Sequence, residues 1–429
     1  MRGKTDVLVL GSGGREHAIV HALSKSNVIG KIHCAPGNPG IAELARIHDA
    51  DPCDKEAIRA LCEKNGIDFV MVGPEAPLAA GLSDALRSAG IKVFGPGAGG
   101  AVLEGSKAFS KSFMARHGIP TAPFDICHTE EDCAAAIAKR EPPFVIKADG
   151  LAAGKGVFLP DGVGEALEIC RGLLSGETLG ESGRTLIIED FLPGKELTVL
   201  AVTDGESFKF LPPSRDHKRI FDGDRGPNTG GMGAYSPVRL PDRVSARVAD
   251  EVMRPTLRGL ASEGIEYRGV IYLGLMLTEA GGDIKISVVE YNVRFGDPET
   301  QAVLPLLTGD FGQLALSAAE GTLRGCPDVE YSGNAFCVVA ASGGYPGKFR
   351  KGVAISGLDD ENAPAGTFVY HSGTAKDGGG NIVTNGGRVL SAVGTGRDFA
   401  AARDNAYARV AGITFEDMHY RKDIGWSEE

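Results

Sequence analysis

Four short apolar runs in the first hundred residues are each followed by a loop that contains glycine. A run of three or four consecutive apolar residues is typical of a parallel strand buried on both faces. The first run is followed by a helical pattern at 16–24, and strand, loop and helix then recur. This repetition predicts a doubly wound parallel α/β domain over residues 1–104, whose ligands bind at the carboxyl ends of its strands. The runs are 7–10, 32–35, 69–72 and 92–94.

The pattern changes after Gly105. A helix is predicted over 106–117, with Ser106 as its N-cap. Strand patterns then meet in pairs at Asp204-Gly205 and at 281–283, which indicates antiparallel hairpins and an α+β region over 105–328. Short strands and glycine turns predict a smaller, β-rich C-terminal domain over 329–429.

Composition narrows the class of partner. A formal net charge of −11 argues against a broad nucleic-acid or membrane surface, and no apolar run is long enough to span a bilayer. The eight cysteines form no C-x-x-C pair, and no secretion signal is present, so we expect reduced thiols in a cytoplasmic protein. No zinc-binding spacing and no G-x-S-x-G sequence is present.

The first glycine loop admits three interpretations. Gly11-x-Gly13 lies between a strand and a helix, as in dinucleotide-binding proteins, but Glu16 stands where the third glycine belongs. The acidic residue expected after the second strand is also missing. The loop can hold a nucleotide or sugar phosphate on its backbone N–H groups with Arg15, it can be only a tight turn, or it can bind a dinucleotide.

The glycine-rich segment 150–156 is not a P-loop, because it is one residue short and Gly156 replaces the hydroxyl residue that would hold Mg²⁺. It lies between two predicted strands. A glycine hairpin carrying Lys155, with Lys147 on the preceding strand, can fold over a triphosphate as a lid. Two surface lysines beside a glycine turn are the alternative.

A carboxylate and an amide end the last strand of the second hairpin. Residues two apart on a strand point to the same face, so Glu290 and Asn292 stand side by side where the apolar series 284, 286, 288 ends. Such oxygen donors suit Mg²⁺ (or Mn²⁺), which fills its other positions with water and nucleotide phosphates. A strand end that reaches solvent would explain them equally well.

Polar loops supply further candidates. Arg294 can clamp a carboxylate or phosphate and stabilise an acyl phosphate. Asp216 and Asp297 can hold an ammonium group or accept a proton. The remaining candidates for substrate binding lie in the loops after the strands, in the basic cluster 215–219 and in the glycine loop 226–233: Gly13, Gly14, Arg15, Asn38, Glu75, Lys218 and Asn228.

Long motifs in order along the chain resemble the phosphoribosylamine–glycine ligase (glycinamide ribonucleotide synthetase) family. The resemblance implies an ATP-grasp fold, with a lid subdomain at about 125–190. It also implies that ATP, glycine and 5-phosphoribosylamine are converted to glycinamide ribonucleotide, ADP and phosphate, a step of purine biosynthesis. The motifs are 11–17, 36–38, 72–78, 103–109, 147–156, 216–219, 226–237, 292–301 and 421–426.

By the same resemblance, Lys107, Lys147 and Lys155, within the Gly154–Gly156 turn, hold the ATP phosphates. Glu189 and the backbone through Leu192 contact adenine, Glu196 takes the ribose hydroxyls, and Glu290 and Asn292 bind Mg²⁺. A further acidic metal ligand common in ATP-grasp enzymes is missing, since 274–277 is apolar, so the number of ions stays open.

Two alternatives to this function remain. Another ATP-grasp ligase or carboxylase would use a different acid or amine, and a nucleotide sensor would bind ATP without chemistry. A monomer acting on small molecules, with neither nucleic acid nor membrane as partner, is expected.

Overall fold

The computed structural model describes residues 3–150, 156–359 and 363–426. A parallel five-stranded sheet forms the N-terminal region, in the order β3-β2-β1-β4-β5. The order reverses between β1 and β4, so the loops after these two strands open at the switch point where such sheets bind ligands. The predicted doubly wound sheet is confirmed. Its elements are β1 Thr5–Gly11, α1 Gly14–Ser24, β2 Ile29–Pro36, β3 Arg46–Ile47, α2 Lys55–Asn65, β4 Phe69–Val72, α3 Glu75–Ala79, α4 Leu82–Ser88, β5 Lys92–Phe94 and α5 Ala98–Gly105.

The next elements build a small antiparallel sheet in the order β6-β9-β7-β8. Ser106 caps the helix that leads to it, accepting the Phe109 N–H at 3.0 Å, as predicted. This sheet and its two helices enclose an apolar core of their own, which includes Phe144 and Leu173. A separate core is what a lid subdomain requires. The elements are α6 Lys107–Arg116, β6 Phe124–Cys127, α7 Glu130–Ile137, β7 Phe144–Ala148, β8 Val157–Phe158, α8 Val163–Leu174 and β9 Leu186–Asp190.

Two long hairpins form the central antiparallel sheet, in the order β11-β10-β16-β17. Both lie where the Asp-Gly and Gly-Gly signals predict them. The elements of this region are β10 Lys195–Thr203, β11 Phe208–Phe210, β12 Arg215–Asp216, β13 Arg219–Phe221, β14 Arg225–Asn228, β15 Gly233–Ser236, α9 Asp242–Arg247, α10 Arg254–Ser262, β16 Gly269–Ala280, β17 Asp283–Asn292, α11 Glu299–Val303 and α12 Phe311–Glu320.

The C-terminal sheet draws strands from the preceding region. Its order is β12-β15-β18-β22-β19, so the short strand that carries Asp216 belongs to it. The largest apolar core runs continuously from Val70 through Phe113 and Leu273 to Phe336, which joins the three sheets. The remaining elements are β18 Asn334–Ala341, β19 Thr367–His371, β20 Thr374–Lys376, β21 Ile382–Thr384, β22 Arg388–Gly396 and α13 Phe399–Ala411.

Within the described residues, no helix combines the length and apolarity needed to cross a membrane. The eight cysteines are all free thiols.

Three histidines pack where α1 meets β19. The backbone N–H of His371 donates to Nδ1 of His17 at 2.9 Å, and Nδ1 of His21 lies 2.8 Å from the Tyr370 hydroxyl. Burial and the neighbouring histidines lower the pKa of His17 to about 3, and burial lowers the pKa of His21 and of His371 to about 4. The three rings are therefore neutral at pH 7.

Lowering the pH from about 7 to about 4.5 is expected to reduce the free energy of unfolding. The unfolded chain binds protons at these histidines near pH 6.5, whereas the folded chain does so only near pH 4 and below, so stability is lost as the pH falls through this window. A fully buried neutral histidine contributes roughly 1.4 kcal/mol per pH unit there. Urea midpoints across this range measure the loss. His17→Gln, which keeps an acceptor for the His371 N–H, should lose less; equal losses would contradict the assignment.

Candidate active site

One cavity of about 440 Å³ collects charged side chains from all three parts of the fold. It opens at the switch point of the N-terminal sheet, beside the end of β17 and under the lid sheet. Of the residues predicted from sequence, the following line it: Arg15, Glu75, Lys107, Lys147, Gly156, Asp216, Lys218, Glu290, Asn292, Arg294 and Asp297.

A β-bulge in β17 presents the two predicted metal ligands. Leu275 pairs with Val288 and Gly274 pairs with Glu290, so Val289 is an extra residue. Because adjacent residues of β16 face opposite ways, Glu290 lies on the face opposite Val288. The core face of β17 accordingly changes from positions 286 and 288 to 291 and 293. The pair is side by side as predicted, but it does not continue the apolar series.

Glu290 is half-buried and free to bind a cation. In the described part of the chain, no hydrogen bond or ion pair engages its carboxylate. Asn292 Oδ1 accepts a long hydrogen bond of 3.4 Å from Arg294. A side chain at Gly274 would lie 3.1 Å from the Glu290 Cγ, so glycine there leaves the carboxylate room. One carboxylate and one amide oxygen fit Mg²⁺, which takes few protein ligands. Among the described residues, no group of three or more His, Cys, Asp or Glu side chains could hold a metal ion.

Lysines lie beside this pair. Lys147 donates to the carbonyl of the bulged Val289 at 3.3 Å and forms an ion pair with Glu189, which also pairs with Lys111. Burial opposes ionisation of Glu189, but the two lysines outweigh it and hold the pKa of that carboxyl below its usual range. Burial lowers the pKa of Lys111 to about 8 in spite of Glu189. The carboxylate thus fixes two ammonium groups at the cavity wall.

Lys107 lies on the same wall of the cavity as Lys147 and Lys111. Its Nζ donates to the Gly150 carbonyl at 3.0 Å, and burial lowers its pKa in spite of the nearby Glu290. Gly154 and Lys155, predicted to contact the phosphates, lie outside the described residues. Gly156 lines the cavity and pairs with Ala148, whose N–H donates to its carbonyl at 2.8 Å.

Arg294 is held by two carboxylates. Its guanidinium lies 2.9 Å from Glu104 and 3.4 Å from Glu75, and Glu104 also accepts the Val293 N–H at 2.8 Å. Burial raises the pKa of Glu104 in spite of Arg294, whereas the Glu75 pKa is lowered, because Arg294 and Arg15 outweigh its burial. The arginine is fixed with its charge toward the cavity.

Asp297 has a full set of partners. Its Oδ1 lies 3.2 Å from Arg388 and accepts from Gln301 at 2.8 Å, while Oδ2 accepts the Arg15 N–H at 3.3 Å. Burial opposes ionisation, but Arg388 and Arg15 outweigh it and lower the pKa of Asp297. This geometry favours a structural role for Asp297, which links the three regions, over a role as a proton acceptor.

The opposite wall carries two carboxyl groups with buried side chains, Asp216 and Glu299, and one lysine, Lys218. Both oxygens of Asp216 accept from Lys218 at 3.0 Å, and Lys218 also reaches Glu196 at 3.3 Å. Glu299 accepts the Tyr272 hydroxyl at 2.8 Å. Burial and the neighbouring Asp216 raise the pKa of Glu299 to about 7.

Comparison with known proteins decides the family. Models of the N domain, the ATP-grasp (A) domain and the C domain of phosphoribosylglycinamide synthetase match residues 5–104, 105–300 and 335–427. The phosphoribosylamine–glycine ligase of Rhizobium meliloti is 46% identical over 421 residues, covering 98% of each chain. That of Escherichia coli O6:H1 is 43% identical over 423 residues, again covering 98% of each. The chain belongs to the phosphoribosylglycinamide synthetase family.

A solved member of this family has the same architecture. The phosphoribosylamine–glycine ligase of Thermotoga maritima superimposes with a TM-score of 0.87 at 38% identity, over 98% of this chain and 100% of that one. The biotin carboxylase domain of the Hydrogenobacter thermophilus 2-oxoglutarate carboxylase gives 0.75 at 15% identity, over 98% and 92%. The second likeness is one of fold alone, and the predicted ATP-grasp architecture is confirmed.

Some residues predicted from the family motifs lie outside the cavity. The Gly13 N–H donates to the Glu16 carboxylate at 2.6 Å. A side chain of the protein therefore occupies the N–H group that a bound phosphate would use under one of the three interpretations. A side chain at Gly14 would collide with Gln301 and Ser372. This geometry favours the tight-turn interpretation for both glycines. Neither residue belongs to the cavity lining, although Arg15 does.

The Asn38 side chain is also engaged by two hydrogen bonds within the protein. Its amide donates to the Ser12 and His371 carbonyls, both at 2.8 Å, which links the N- and C-terminal sheets. The other predicted residues that do not line the cavity are Glu189, Leu192, Glu196 and Asn228.

Several lining residues were not predicted, and four of them carry polar or charged groups that matter for the chemistry: Lys111, Tyr272, Glu299 and Arg388. Lys111 follows Lys107 by one helical turn, and this spacing could have identified it. Glu299 lies within the recognised 292–301 motif. Tyr272 and Arg388 carry no local signal, because the fold brings them in from distant β16 and β22.

A wider groove of about 1220 Å³ lies between β8, α8, β13 and the C-terminal sheet. Exposed aromatic and aliphatic side chains, including Phe221 and Leu159, line it. The charged groups that phosphoryl transfer needs converge in the smaller cavity instead, which makes it the candidate active site.

Proposed function

We propose that the chain joins glycine to 5-phosphoribosylamine at the expense of ATP, giving glycinamide ribonucleotide, ADP and phosphate. The observation that carries this proposal is the meeting of Glu290 and Asn292 with Lys107, Lys147 and Arg294 around one cavity. The names of the relatives supply the identity of the substrates, which geometry alone does not specify.

The first step activates a poor electrophile. A carboxylate does not expel oxide, whereas a glycyl phosphate releases phosphate readily. Phosphoryl transfer depends chiefly on positioning and on neutralising charge. Glu290 and Asn292 would hold Mg²⁺, which would neutralise charge on the transferring phosphoryl group. Lys107 and Lys147 hold the ATP phosphates, and the family motif assigns Lys155 to the same task.

The second step forms the amide. Arg294 stabilises the acyl phosphate and the oxygen that becomes negative when the amine attacks. No side-chain nucleophile is required. The lid subdomain, about 125–190, covers the intermediate and keeps water out. Arg15 and Glu75, in the first turns of the helices that follow the two loops at the switch point, face the 5-phosphoribosylamine.

The adenine and ribose contacts follow from the family motifs. Leu192 and the adjoining backbone contact adenine. Glu196 is exposed and 3.3 Å from Lys218, where it can take the ribose hydroxyls. Glu189 acts through Lys147 and Lys111, which its carboxylate fixes. The partners are small molecules, and we infer a cytoplasmic monomer.

A coupled ADP-release assay with freshly made 5-phosphoribosylamine tests this function. ADP should form only when glycine and the amine are both present, and mass spectrometry should find glycinamide ribonucleotide. ADP formed with bicarbonate or another acid in place of glycine would favour a different ATP-grasp ligase or carboxylase. ATP binding with no ADP release would favour a sensor.

A further inference from the structure

Glu299 and Asp216 place two carboxyl groups within one wall of the active-site cavity. Both side chains are almost fully buried, at 3% exposure for Glu299 as a residue and 6% for the Asp216 side chain. The Lys218 ammonium group contacts both oxygens of Asp216 at 3.0 Å and acts on Glu299 only through its charge. Asp216 is thereby committed to an ion pair, and Glu299 is the carboxyl group left to exchange a proton.

The surroundings of Glu299 keep it in place without removing its basicity. Oε1 accepts the Tyr272 hydroxyl at 2.8 Å, and Tyr272 in turn lies 2.9 Å from the Thr198 hydroxyl. Oε2 lies against Gly296, where any side chain would collide with it. The carboxylate is therefore oriented by one strand and given space by one glycine.

Charged and titratable groups from every neighbouring element face this carboxyl. Asp216 and burial favour its protonated form, whereas Lys218 and the Tyr272 hydroxyl favour its ionised form. Arg294 and Arg388 also lie within electrostatic reach, since Glu299 raises the pKa of both. The Cys337 thiol, buried on β18, is also influenced by Glu299. The balance leaves the pKa of Glu299 at about 7, the value that suits a general base at neutral pH.

We propose that Glu299 is a catalytic residue, the base that accepts a proton from the attacking amine during amide formation. This inference rests on the proposed function. The amine nitrogen attacks the carbonyl carbon of glycyl phosphate, and the new C–N bond forms. One N–H proton passes to the Glu299 carboxylate, and the C–O bond to phosphate breaks with its electron pair leaving on phosphate. Glu299 then returns its proton to water.

The pH dependence of three variants tests this role. For the native enzyme, kcat for ligation should fall as the pH drops below about 7, because the base becomes protonated. Glu299→Gln keeps the acceptor for Tyr272 but cannot take a proton. It should lower kcat by about 10²–10⁴-fold, leave the KM for glycine within about threefold, and abolish this acid limb. Glu299→Asp should retain the limb at a reduced rate.

Tyr272→Phe provides a second test that leaves the carboxyl intact. It removes a hydrogen bond that favours the ionised form, so the acid limb should move to higher pH. An acid limb that persists in Glu299→Gln, or that does not move in Tyr272→Phe, would overturn the proposal. So would a raised KM for glycine with little change in kcat, which would indicate that Glu299 holds the glycine ammonium group.

Failure of the proposed function would look different. In that case the native enzyme would give no glycinamide ribonucleotide from the three substrates, whatever the variants do. Thermal unfolding of each variant confirms that it is folded. If Glu299→Gln is unfolded, the direction of the Tyr272→Phe shift decides the question.

Discussion

Changing Glu290 to glutamine is expected to lower kcat/KM for ligation by about 10³-fold or more. This is the scale on which loss of a charge that neutralises a transferring phosphoryl group acts. The substitution removes the only full negative charge in the proposed metal pair but keeps the size of the side chain. Since no hydrogen bond or ion pair engages the Glu290 carboxylate in the described chain, we expect the variant to fold. Steady-state kinetics and Mn²⁺ binding in the presence of ATP measure the two effects.

Glu279→Gln is the matched control. Glu279 lies on the paired strand β16, is exposed, and pairs with Ile284 near the turn. It does not line the cavity. Its variant should retain activity and Mn²⁺ affinity within about twofold, as expected for a surface change. Equal losses in the two variants, or near-native activity of Glu290→Gln at low Mg²⁺, would contradict the metal assignment.

Arg294→Met is expected to cost about 3–5 kcal/mol of stability as well as activity. Removing one partner of a buried ion pair leaves the other charge uncompensated, which is the costly case. Here Glu104 is buried against Arg294 at 2.9 Å and Glu75 lies at 3.4 Å. A lower urea midpoint at neutral pH measures the loss.

The double variant Arg294→Met with Glu104→Gln separates the two effects. Neutralising Glu104 should recover a large part of the stability, because the unpaired charge is gone, while activity stays lost. A single variant as stable as the native protein would show that the ion pairs contribute little. Recovery of activity in the double variant would remove Arg294 from the proposed chemistry.

Local patterns predicted four of the five strands of the N-terminal sheet, because each has a buried apolar run. The exposed two-residue edge strand Arg46–Ile47 has no such run and was not predicted. Phe69–Val72 and Lys92–Phe94 have the predicted bounds, and both hairpins of the central sheet turn at the expected glycines. These features depend on residues that are neighbours in sequence. The boundaries at 104 and 328 stay predictions. The C-terminal sheet includes β12 and β15, and it is the distant pairing of β15 with β18, Ala234 with Cys337, that no local pattern shows.

The candidate site was partly predictable for the same reason. Glu290, Asn292 and Arg294 lie on one short segment, so their proximity follows from strand geometry. The bulge at Val289 does not, because it depends on how β16 and β17 pair. Gly13 and Gly14 have the spacing of a phosphate loop, yet Glu16 occupies the backbone N–H of Gly13. Arg388 and Asp297 are far apart in sequence, and their contact depends on the position of the C-terminal sheet.

Anomalous diffraction from crystals soaked with Mn²⁺ and a non-hydrolysable ATP analogue tests the central claim most directly. The Mn²⁺ peak should lie between Glu290 and Asn292, with the phosphates reaching Lys107 and Lys147. A peak elsewhere, or a nucleotide seated in the wide groove beside Phe221, would contradict this placement of the active site.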